Sequence, residues 1–524
     1  MRKLIWLLIV IFPLDLSAQT AEILIKNGKI IDGTGNAWFY GDVAVVNNKI
    51  VAIGHLSHWK STNTIDATGM VVAPGFIDVH THIEGEEARN PTSDNFIFDG
   101  VTTVITGNCG LSKVDIGQYF RWLDSLHLSI NVASLIGHND IRKAVMGTAR
   151  RDPTEAEMQK MVAITQKAME DGAVGLSTGL IYIPGTYAAT NEVVALAKVA
   201  AAYRSVYATH MRDEGDSVVP AIQEALHIGT AAGLPVEISH FKLSGQQNWG
   251  RSKETLGLIK NARNKGIDVT IDQYPYTASS TNLGTLLPGW VLADGKDSIN
   301  TRLNNPVIRT QLIAYMLKRL HKRKLKHFSY PVVANYAFDT SYNGKSIETV
   351  NLLKGQKHTA KAEAETVLEM MQHGGAGMVF HGMAEADVQY IMQYPFCMFG
   401  CDAGIRVFGE GVPHPRGYGS NAKILGKYVR DEQLFSLEQA IRRMTSLPAQ
   451  KFHLQNRGLL LPGYAADIIV FNPNTVIDKA TYDKPHQYSE GFQYVIVNGA
   501  LTLSNGKHTG IRNGVTLKNS ASLL

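Results

Sequence analysis

The sequence predicts a (β/α)₈ TIM-type barrel flanked by a small β-sandwich, whose two halves come from the two ends of the chain. In the long central region, short apolar runs alternate with amphipathic stretches, the pattern of parallel strands joined by helices. Both ends carry short Ile- and Val-rich runs separated by Asn-Gly and Asp-Gly turns, as small sheets do. The interval at about residues 287–381 is too long for a barrel loop and predicts a helical insertion before the last barrel strand.

The composition excludes several classes of protein. The chain has 524 residues, 44% of them hydrophobic and 19% charged, which predicts two or three folded units rather than a disordered chain. Three cysteines and 18 prolines exclude a disulfide scaffold and a collagen-like repeat. The net charge of +5 is small, and the basic run at 318–326 is interpreted as a solvated helix face, so no nucleic-acid partner is predicted.

The N-terminus predicts export. Two basic residues precede an apolar stretch at residues 4–14 and then small polar residues, which is typical of a secretory signal cleaved near Ala18 or Gln19. Pro13 and Asp15 and the shortness of the stretch argue against a membrane span of about 20 residues; an uncleaved anchor is the alternative. We expect a periplasmic or extracellular protein without a membrane span once the signal is removed.

These patterns divide the chain into four parts. We expect a signal at residues 1–19, the halves of the sandwich at 20–72 and 458–524, and the barrel at 73–457. The candidate barrel strands are Gly75 to Val79, Val101 to Ile105, Ile130 to Ile136, Gly175 to Ser177, Ser205 to Thr209, Val236 to Ser239, Asp268 to Asp272 and Phe396 to Gly400. A capping box at Thr154 and Glu157 predicts the start of one intervening helix.

Potential metal ligands follow several of these strands. His80 and His82 stand two residues apart after the first strand, so their side chains share one face and can reach a common ion. Strand ends of a barrel converge on the face where active sites lie. Nitrogen and sulfur ligands gathered with a carboxylate at one mouth predict a zinc site rather than separate buried histidines. The other residues placed at strand ends are Cys109, His210, His240 and Asp402.

Longer motifs identify a family. They are Pro74 to His82, Gly107 to Gly110, Gly175 to Leu180, Pro184 to Tyr187, Thr209 to Arg212, Ile238 to Lys242, Asn248 to Gly250, Asp272 to Tyr276 and Pro485 to Tyr488. With these motifs, residues 21–515 or so resemble the N-acyl-D-amino-acid deacylase (D-aminoacylase) group of the metal-dependent amidohydrolase superfamily. The His-x-His pair alone would indicate only the superfamily, whereas the Cys109 motif and Pro-His-Gln-Tyr narrow the resemblance to this group.

The resemblance implies a metal centre. Cys109, His210 and His240 match the ligands of a tightly bound zinc ion, and His80 and His82 match a second, weaker position. In this interpretation Cys109 has the bridging role that a carboxylated lysine fills in many relatives. A zinc thiolate also fits a chain whose three cysteines cannot all pair in disulfides.

The resemblance also implies the catalytic residue and the substrate pocket. Asp402 matches the catalytic aspartate, which would take a proton from the attacking water and return it to the leaving amine. From the residues alone, Lys242 and Arg416 would be interpreted as surface charges, although an arginine can bind a carboxylate at two points. The positions that match the pocket for the substrate carboxylate are Lys242, Arg416, Tyr182, Tyr274 and Ser280.

Two regions leave questions open. His138 ends the third strand and is expected either to contact the site or to be a satisfied core histidine. The sequence Gly400 to Gly404 departs from the family pattern, where Ser-Asp-Gly is expected, and the loop at 405–412 is also different. Because this loop and the insertion would build the side-chain pocket, the identity of the amino acid stays open.

The sequence therefore predicts an exported zinc enzyme that hydrolyses N-acyl-D-amino acids, or related D-configured amides, to a carboxylic acid and a D-amino acid. One alternative is a dipeptidase or cyclic-amide hydrolase, which would not need Lys242 and Arg416 together. Another is a non-catalytic ligand-binding barrel, which would tolerate loss of ligands or of Asp402. The acyl group, strict D selectivity, the number of working metals and the oligomeric state stay open.

Overall fold

The computed structural model describes residues 19–519 of the chain. The predicted signal therefore lies, except for its last residue, outside the described residues. Within residues 19–519, no helix has both the length and the apolar character needed to cross a membrane.

Strands and helices alternate through the middle of the chain. The strands are β1 (Thr20–Ile30), β2 (Phe39–Val46), β3 (Lys49–Gly54), β4 (Lys60–Asp66), β5 (Val71–Pro74), β6 (Phe76–Asp78), β7 (Val101–Thr106), β8 (Asn131–Ser134), β9 (Ile136–Gly137), β10 (Gly175–Gly179), β11 (Val206–His210), β12 (Val236–Ile238), β13 (Val269–Gln273), β14 (Ala278–Asn282), β15 (Pro331–Asn335), β16 (Gly377–His381), β17 (Cys397–Phe399), β18 (Ile468–Phe471), β19 (Phe492–Val497), β20 (Ala500–Ser504) and β21 (Lys507–His508). The α-helices are α1 (Asp94–Ile97), α2 (Ile116–Leu126), α3 (His138–Met146), α4 (Glu155–Glu170), α5 (Thr190–Ala201), α6 (Val218–Ala232), α7 (Ser252–Asn264), α8 (Lys296–Asn304), α9 (Pro306–Lys322), α10 (Ile347–Leu353), α11 (Ala360–Gln372), α12 (Glu385–Met392), α13 (Arg416–Lys423), α14 (Leu437–Met444) and α15 (Ser446–Lys451), and a π-helix spans Ile424–Asp431.

The two ends of the chain meet in one nine-stranded sheet. Its order is β21-β20-β19-β18-β5-β1-β2-β3, and β4 pairs with β1. The junction is the antiparallel pair of β5 and β18, in which Ala73 lies opposite Ile469. One face of this sheet is closed by a buried aliphatic core that includes Ile25, Val45 and Ile496. The ends therefore join through continuous backbone hydrogen bonds as well as through packing.

The middle of the chain forms the predicted barrel. Parallel pairing runs from β6 through β7 to β8, and from β9 through β10, β11, β12 and β13 to β17. Only Leu135 separates β8 from β9, so these two strands occupy one position in the barrel. The strand pairing therefore agrees with the fold class predicted from the sequence, a (β/α)₈ barrel with an additional β-domain.

A local sequence signal accounts for the start of α4, one of the helices that surround the barrel. The Thr154 hydroxyl accepts a hydrogen bond from the Glu157 backbone N–H, and the Glu157 carboxylate accepts one from the Thr154 N–H, which is the predicted capping box of α4. This reciprocal cap satisfies two backbone donors that the first helical turn leaves free.

The insertion differs from the expectation in its start and in its content. It begins with β14, which pairs antiparallel with β16, and β15 pairs with the other edge of β16. Helices α8 to α11 pack on this small sheet and share a separate core with it. The residues of β14 are mostly polar and half-exposed, so the sequence shows no apolar run that would predict a strand there.

Candidate active site

The predicted metal ligands lie together at the mouth of the barrel. His80 follows β6, Cys109 follows β7, His210 ends β11 and His240 follows β12. All four side chains are buried. Since these residues are far apart in sequence, the parallel arrangement of the strands is what brings them together.

The Cys109 sulfur lies at the centre of three imidazoles. Its Sγ is 3.3 Å from His80 Nε2, 3.7 Å from His210 Nδ1 and 3.6 Å from His240 Nε2. Tetrahedral zinc with ordinary Zn–S and Zn–N bond lengths places its sulfur and nitrogen ligands about 3.6 Å apart. The distances to His210 and His240 therefore fit zinc, as the sequence predicted for the tight site.

A second group of ligand atoms lies beside the first. Asp402 Oδ1 is 3.2 Å from His82 Nε2 and 3.6 Å from His80 Nε2, so these three side chains can share an ion. His80 also belongs to the group around Cys109. The geometry thus offers two adjoining positions that share His80, whereas the resemblance implied Cys109 as the shared ligand.

The site favours the ionised forms of both its sulfur and its carboxylate. Burial by itself raises the pKa of the Cys109 thiol, but the positive charge of His80 and hydrogen bonds from the neighbouring imidazoles outweigh it and hold that pKa well below its usual value. Burial of Asp402 is likewise outweighed, chiefly by Arg416 and His80, so its pKa also lies well below normal. A thiolate and a carboxylate at one mouth are a donor set that suits zinc.

Three of the site residues have unusual backbone conformations. Cys109, His240 and Asp402 have φ values of 54°, 35° and 53°, in the left-handed region that non-glycine residues rarely adopt. Such strain costs about 1–3 kcal/mol per residue and is found at functional sites. Gly400 allows the close approach of β17, because a Cβ there would lie 2.6 Å from His80 Cβ.

Glu214 supports the metal ligands and was not predicted from the sequence. Its Oε1 accepts hydrogen bonds from Lys242 Nζ at 2.6 Å and lies 2.9 Å from His240 Nδ1, on the side of the ring away from Cys109. Burial of Glu214 is outweighed by the charges of Lys242 and the two histidines, so its pKa lies well below its usual value. Such a carboxylate fixes the orientation of a ligand imidazole.

Asp272 contacts two of the ligand histidines, and Glu237 lies next to Asp272. Asp272 Oδ1 accepts a hydrogen bond from the His240 backbone N–H at 2.9 Å, and Oδ2 lies 3.3 Å from His80 Nδ1. Burial and the charge of Asp272 raise the pKa of Glu237 well above its usual value, which favours the protonated form of Glu237. The pKa of Asp272 is lowered, because the charge of His80 outweighs its burial. Asp272 was part of a motif in the sequence, but its role was not predicted, although it too ends a barrel strand.

The residues matched to the substrate pocket surround the metal ligands. Arg416 Nη1 is 2.9 Å from Asp402 Oδ2, and its guanidinium lies 4.6 Å from the Tyr274 ring centre. The buried Tyr274 hydroxyl has no hydrogen-bond partner in the part of the chain that the structure describes, so it can donate to a ligand. Tyr182 packs against His210, whereas the Ser280 hydroxyl donates to the Met378 carbonyl.

A cavity of about 900 Å³ opens onto the metal ligands and the pocket residues. The barrel contributes Cys109, Asp402 and Arg416 to its wall, and the insertion contributes Tyr315 and Arg319 from α9. The volume suits a small organic molecule.

His138 does not line this cavity. Its Nε2 lies 2.8 Å from Glu192, which also pairs with Arg142, and all three residues are buried. His138 is therefore a satisfied core histidine, the second of the two expectations for it.

The fold and the site define a class: a barrel hydrolase with a histidine- and cysteine-rich metal centre and a carboxylate at its mouth. The chain belongs to the amidohydrolase family, which it matches over residues 63–393 and 398–503. It is 35% identical to a D-aminoacylase of Alcaligenes xylosoxydans xylosoxydans over 96% of this chain and 99% of that protein. An N-acyl-D-glutamate deacylase of the same organism is 34% identical over 96% of this chain and 98% of that protein.

Solved structures agree with these relationships. An N-acyl-D-glutamate deacylase of Bordetella bronchiseptica, crystallised with zinc and a phosphonate inhibitor, has a TM-score of 0.82 at 35% identity, with 95% of this chain and 100% of that chain covered. A D-aminoacylase crystal structure has a TM-score of 0.82 at 34% identity with the same coverage. A D-hydantoinase, at 15% identity and a TM-score of 0.56, shares the fold.

We expect the E214Q substitution to weaken zinc binding about 10- to 100-fold, because removal of a carboxylate that orients a ligand imidazole has that effect. Zinc affinity is measured by competition with a chromogenic chelator. E86Q is the matched control, since Glu86 lines the same cavity but pairs with the exposed Arg89. Equal zinc affinities of E214Q and the unaltered protein would contradict the orienting role.

Proposed function

We propose that the protein is a zinc-dependent hydrolase that cleaves N-acyl-D-amino acids to a carboxylic acid and a D-amino acid. The observation that carries this proposal is the placement of the Cys109 cluster, Asp402 and Arg416 on one cavity. The two halves of such a substrate need these groups: the amide needs a metal and a base, and the α-carboxylate needs a fixed cation. The activities of the relatives support the same assignment.

The residues that would hold the tight zinc ion are Cys109, His210 and His240, with His80 and His82 at the second position. A zinc ion bound there supplies a Lewis acid that polarises the acyl carbonyl and increases the acidity of water. Glu214 and Asp272 keep the imidazoles oriented, the first through the His240 ring and the second through the His80 ring. The chain thus provides a preorganised donor set.

Asp402 is suited to move the proton. Its carboxylate is ionised and directed at the cavity, so it can accept a proton from the attacking water. The same carboxylic acid can then donate that proton to the nitrogen of the leaving amino acid. Arg416, 2.9 Å from the other carboxylate oxygen, holds Asp402 in place until a substrate carboxylate competes for the guanidinium.

The α-carboxylate would bind between Arg416 and the tyrosines. The free Tyr274 hydroxyl supplies a donor beside the guanidinium, and the Tyr182 ring borders the same space. Lys242 Nζ lies 2.6 Å from Glu214, so it contributes positive charge near the pocket while held by that carboxylate. We infer that Arg416 makes the direct contact and that Lys242 acts chiefly through charge.

The test is hydrolysis of paired N-acetyl-D- and N-acetyl-L-amino acids, followed by amine release, together with metal analysis. We expect release from D substrates and zinc in the purified protein. D402A should lower kcat at least about 100-fold, because general acid–base catalysis contributes on that scale. Zinc at the Cys109 position should remain, because Asp402 is not among its ligands.

Two outcomes would contradict this proposal. Release from L substrates alone would exclude the D-selective deacylase, and full activity of D402A would exclude the role of Asp402. N-acetylated dipeptides and cyclic amides in the same panel separate the alternative amidohydrolase activities. E86Q is the matched control for D402A, since Glu86 lines the cavity and pairs with the exposed Arg89.

The cavity also favours an acidic amino-acid side chain. Arg406 lines it, and no carboxylate within residues 19–519 forms an ion pair with its guanidinium. Its buried Nε has no hydrogen-bond partner among the described residues, and its backbone is held by hydrogen bonds with Asn90 and Asn95. An unpaired cation whose charge acts on that of Arg416 would bind a second carboxylate. Relatives that act on N-acyl-D-glutamate and N-acyl-D-aspartate support this preference.

We expect R406Q to lower kcat/KM about 10-fold for N-acetyl-D-glutamate, the equivalent of one charged hydrogen bond. The value for N-acetyl-D-leucine should stay within about 2-fold, because that substrate carries no second carboxylate. R89Q is the control, since Arg89 is exposed and pairs with Glu86 and Glu410. An equal fall for both substrates would assign Arg406 a structural role instead.

We also propose that the protein is exported and processed near Ala18 or Gln19. The basic start and short apolar stretch at residues 4–14 support this. The N-terminal sequence of protein recovered from the periplasm or medium of a bacterial host should begin at Gln19 or Thr20. Full-length chain that stays in the cytoplasmic fraction would contradict export.

A further inference from the structure

A second group of metal-type ligands lies in the insertion, away from the barrel mouth. It consists of His327, Glu348, His358 and Glu363, whose ligand atoms all lie within 4.8 Å of one another. We call these four residues the insertion cluster. None of them lines the cavity described above.

The side chains of the insertion cluster are directed at one another. His327 Nδ1 is 2.6 Å from Glu363 Oε1 and 3.9 Å from Glu348 Oε1, and His358 Nε2 is 2.7 Å from the same Glu348 oxygen. The two imidazole rings stack with centres 4.2 Å apart and planes 26° apart. Two nitrogens and two carboxylates therefore converge on a small volume.

The backbone of Phe328 holds two members of the insertion cluster in place, one through its side chain and one through its backbone. Glu363 is fully buried, and its Oε2 accepts a hydrogen bond from the Phe328 N–H at 2.7 Å, which leaves Oε1 to face the histidines. The Glu348 N–H donates to the Phe328 carbonyl at 3.1 Å. Phe328 thus orients the Glu363 carboxylate and holds the backbone of Glu348 near His327. A carboxylate that is oriented like that of Glu363 is typical of a preformed ligand.

The set of donors suits one kind of ion. Imidazole nitrogens combined with carboxylate oxygens, four in number, are ligands of tetrahedral zinc. A divalent cation balances the two carboxylate charges and accepts the lone pairs of both imidazoles at once. Two separate hydrogen bonds, one between His327 and Glu363 and one between His358 and Glu348, would explain the short distances. They would not require the ligand atoms of all four residues to lie around one common point, as they do.

We propose that the insertion cluster is a structural zinc site. It joins the segment after α9, the first turn of α10, the connection from α10 to α11, and α11 itself. These elements pack in the separate core of the insertion, which includes Leu312 and Met316 of α9 and Leu368 of α11. Because α9 also presents Tyr315 and Arg319 to the cavity, the ion holds the wall that faces the substrate.

The test compares zinc content in the full protein after loading with excess zinc and removal of loosely bound ions. H327N/H358N should contain one zinc ion fewer per chain than the unaltered protein. H321N/H373N is the matched control, because both of these histidines are exposed in the same insertion and lie outside the cluster. Its zinc content should equal that of the unaltered protein.

A second variant covers the case in which H327N/H358N does not fold. E348Q keeps the size of the side chain and removes one charge, so we expect one zinc ion to be lost to a chelator at least about 10-fold more readily. Thermal unfolding of the unaltered protein should shift upward when that ion is restored, and E348Q should lack most of this shift. Unchanged zinc content and affinity in the folded variants would overturn the proposal and leave hydrogen-bonded pairs.

Discussion

The constraint on which the mouth of the barrel depends is the buried sulfur of Cys109. A thiolate removed from water is costly unless donors or cations surround it, and three imidazole nitrogens lie within 3.7 Å of this one. The imidazoles come from β6, β11 and β12, which are not all neighbours, so the sulfur couples strands across the barrel. A metal that binds this folded arrangement adds its binding free energy to the stability of the barrel.

Residues that follow β6 and β17 at this site also close the barrel. Within residues 19–519, no ladder joins β17 to β6; instead Asp402 N–H donates to the His80 carbonyl at 2.8 Å, and His82 N–H donates to the Ala403 carbonyl at 3.0 Å. Asp402 and the His-x-His pair therefore hold their positions through shared backbone hydrogen bonds. This connection offers a physical reason for the left-handed backbone of Asp402, whose strain is offset by the bonds that it makes.

The sequence predicted the ends of the barrel strands and thus the groups that gather there, because parallel strands carry their carboxyl ends to one face. It could not predict Glu214, since nothing in the local pattern distinguishes that residue from Asp213 and Asp216 beside it. Asp272 obeys the same strand-end rule as His240 and could have been found by applying the rule to every strand. The β14 strand was not predicted because it forms by pairing with β16, which lies about a hundred residues further along the chain.

The barrel and the insertion contribute differently to the site because each packs around its own core. The barrel core positions the metal ligands and Asp402, whereas the insertion packs around its own apolar cluster and supplies only one wall of the cavity. A change in the insertion can therefore alter the pocket without moving the metal ligands. A wall that is rigid before the substrate arrives also loses less conformational entropy on binding. A connection between α11 and the segment after α9 would thus favour selectivity at a distance from the chemistry, and the insertion cluster lies at that connection.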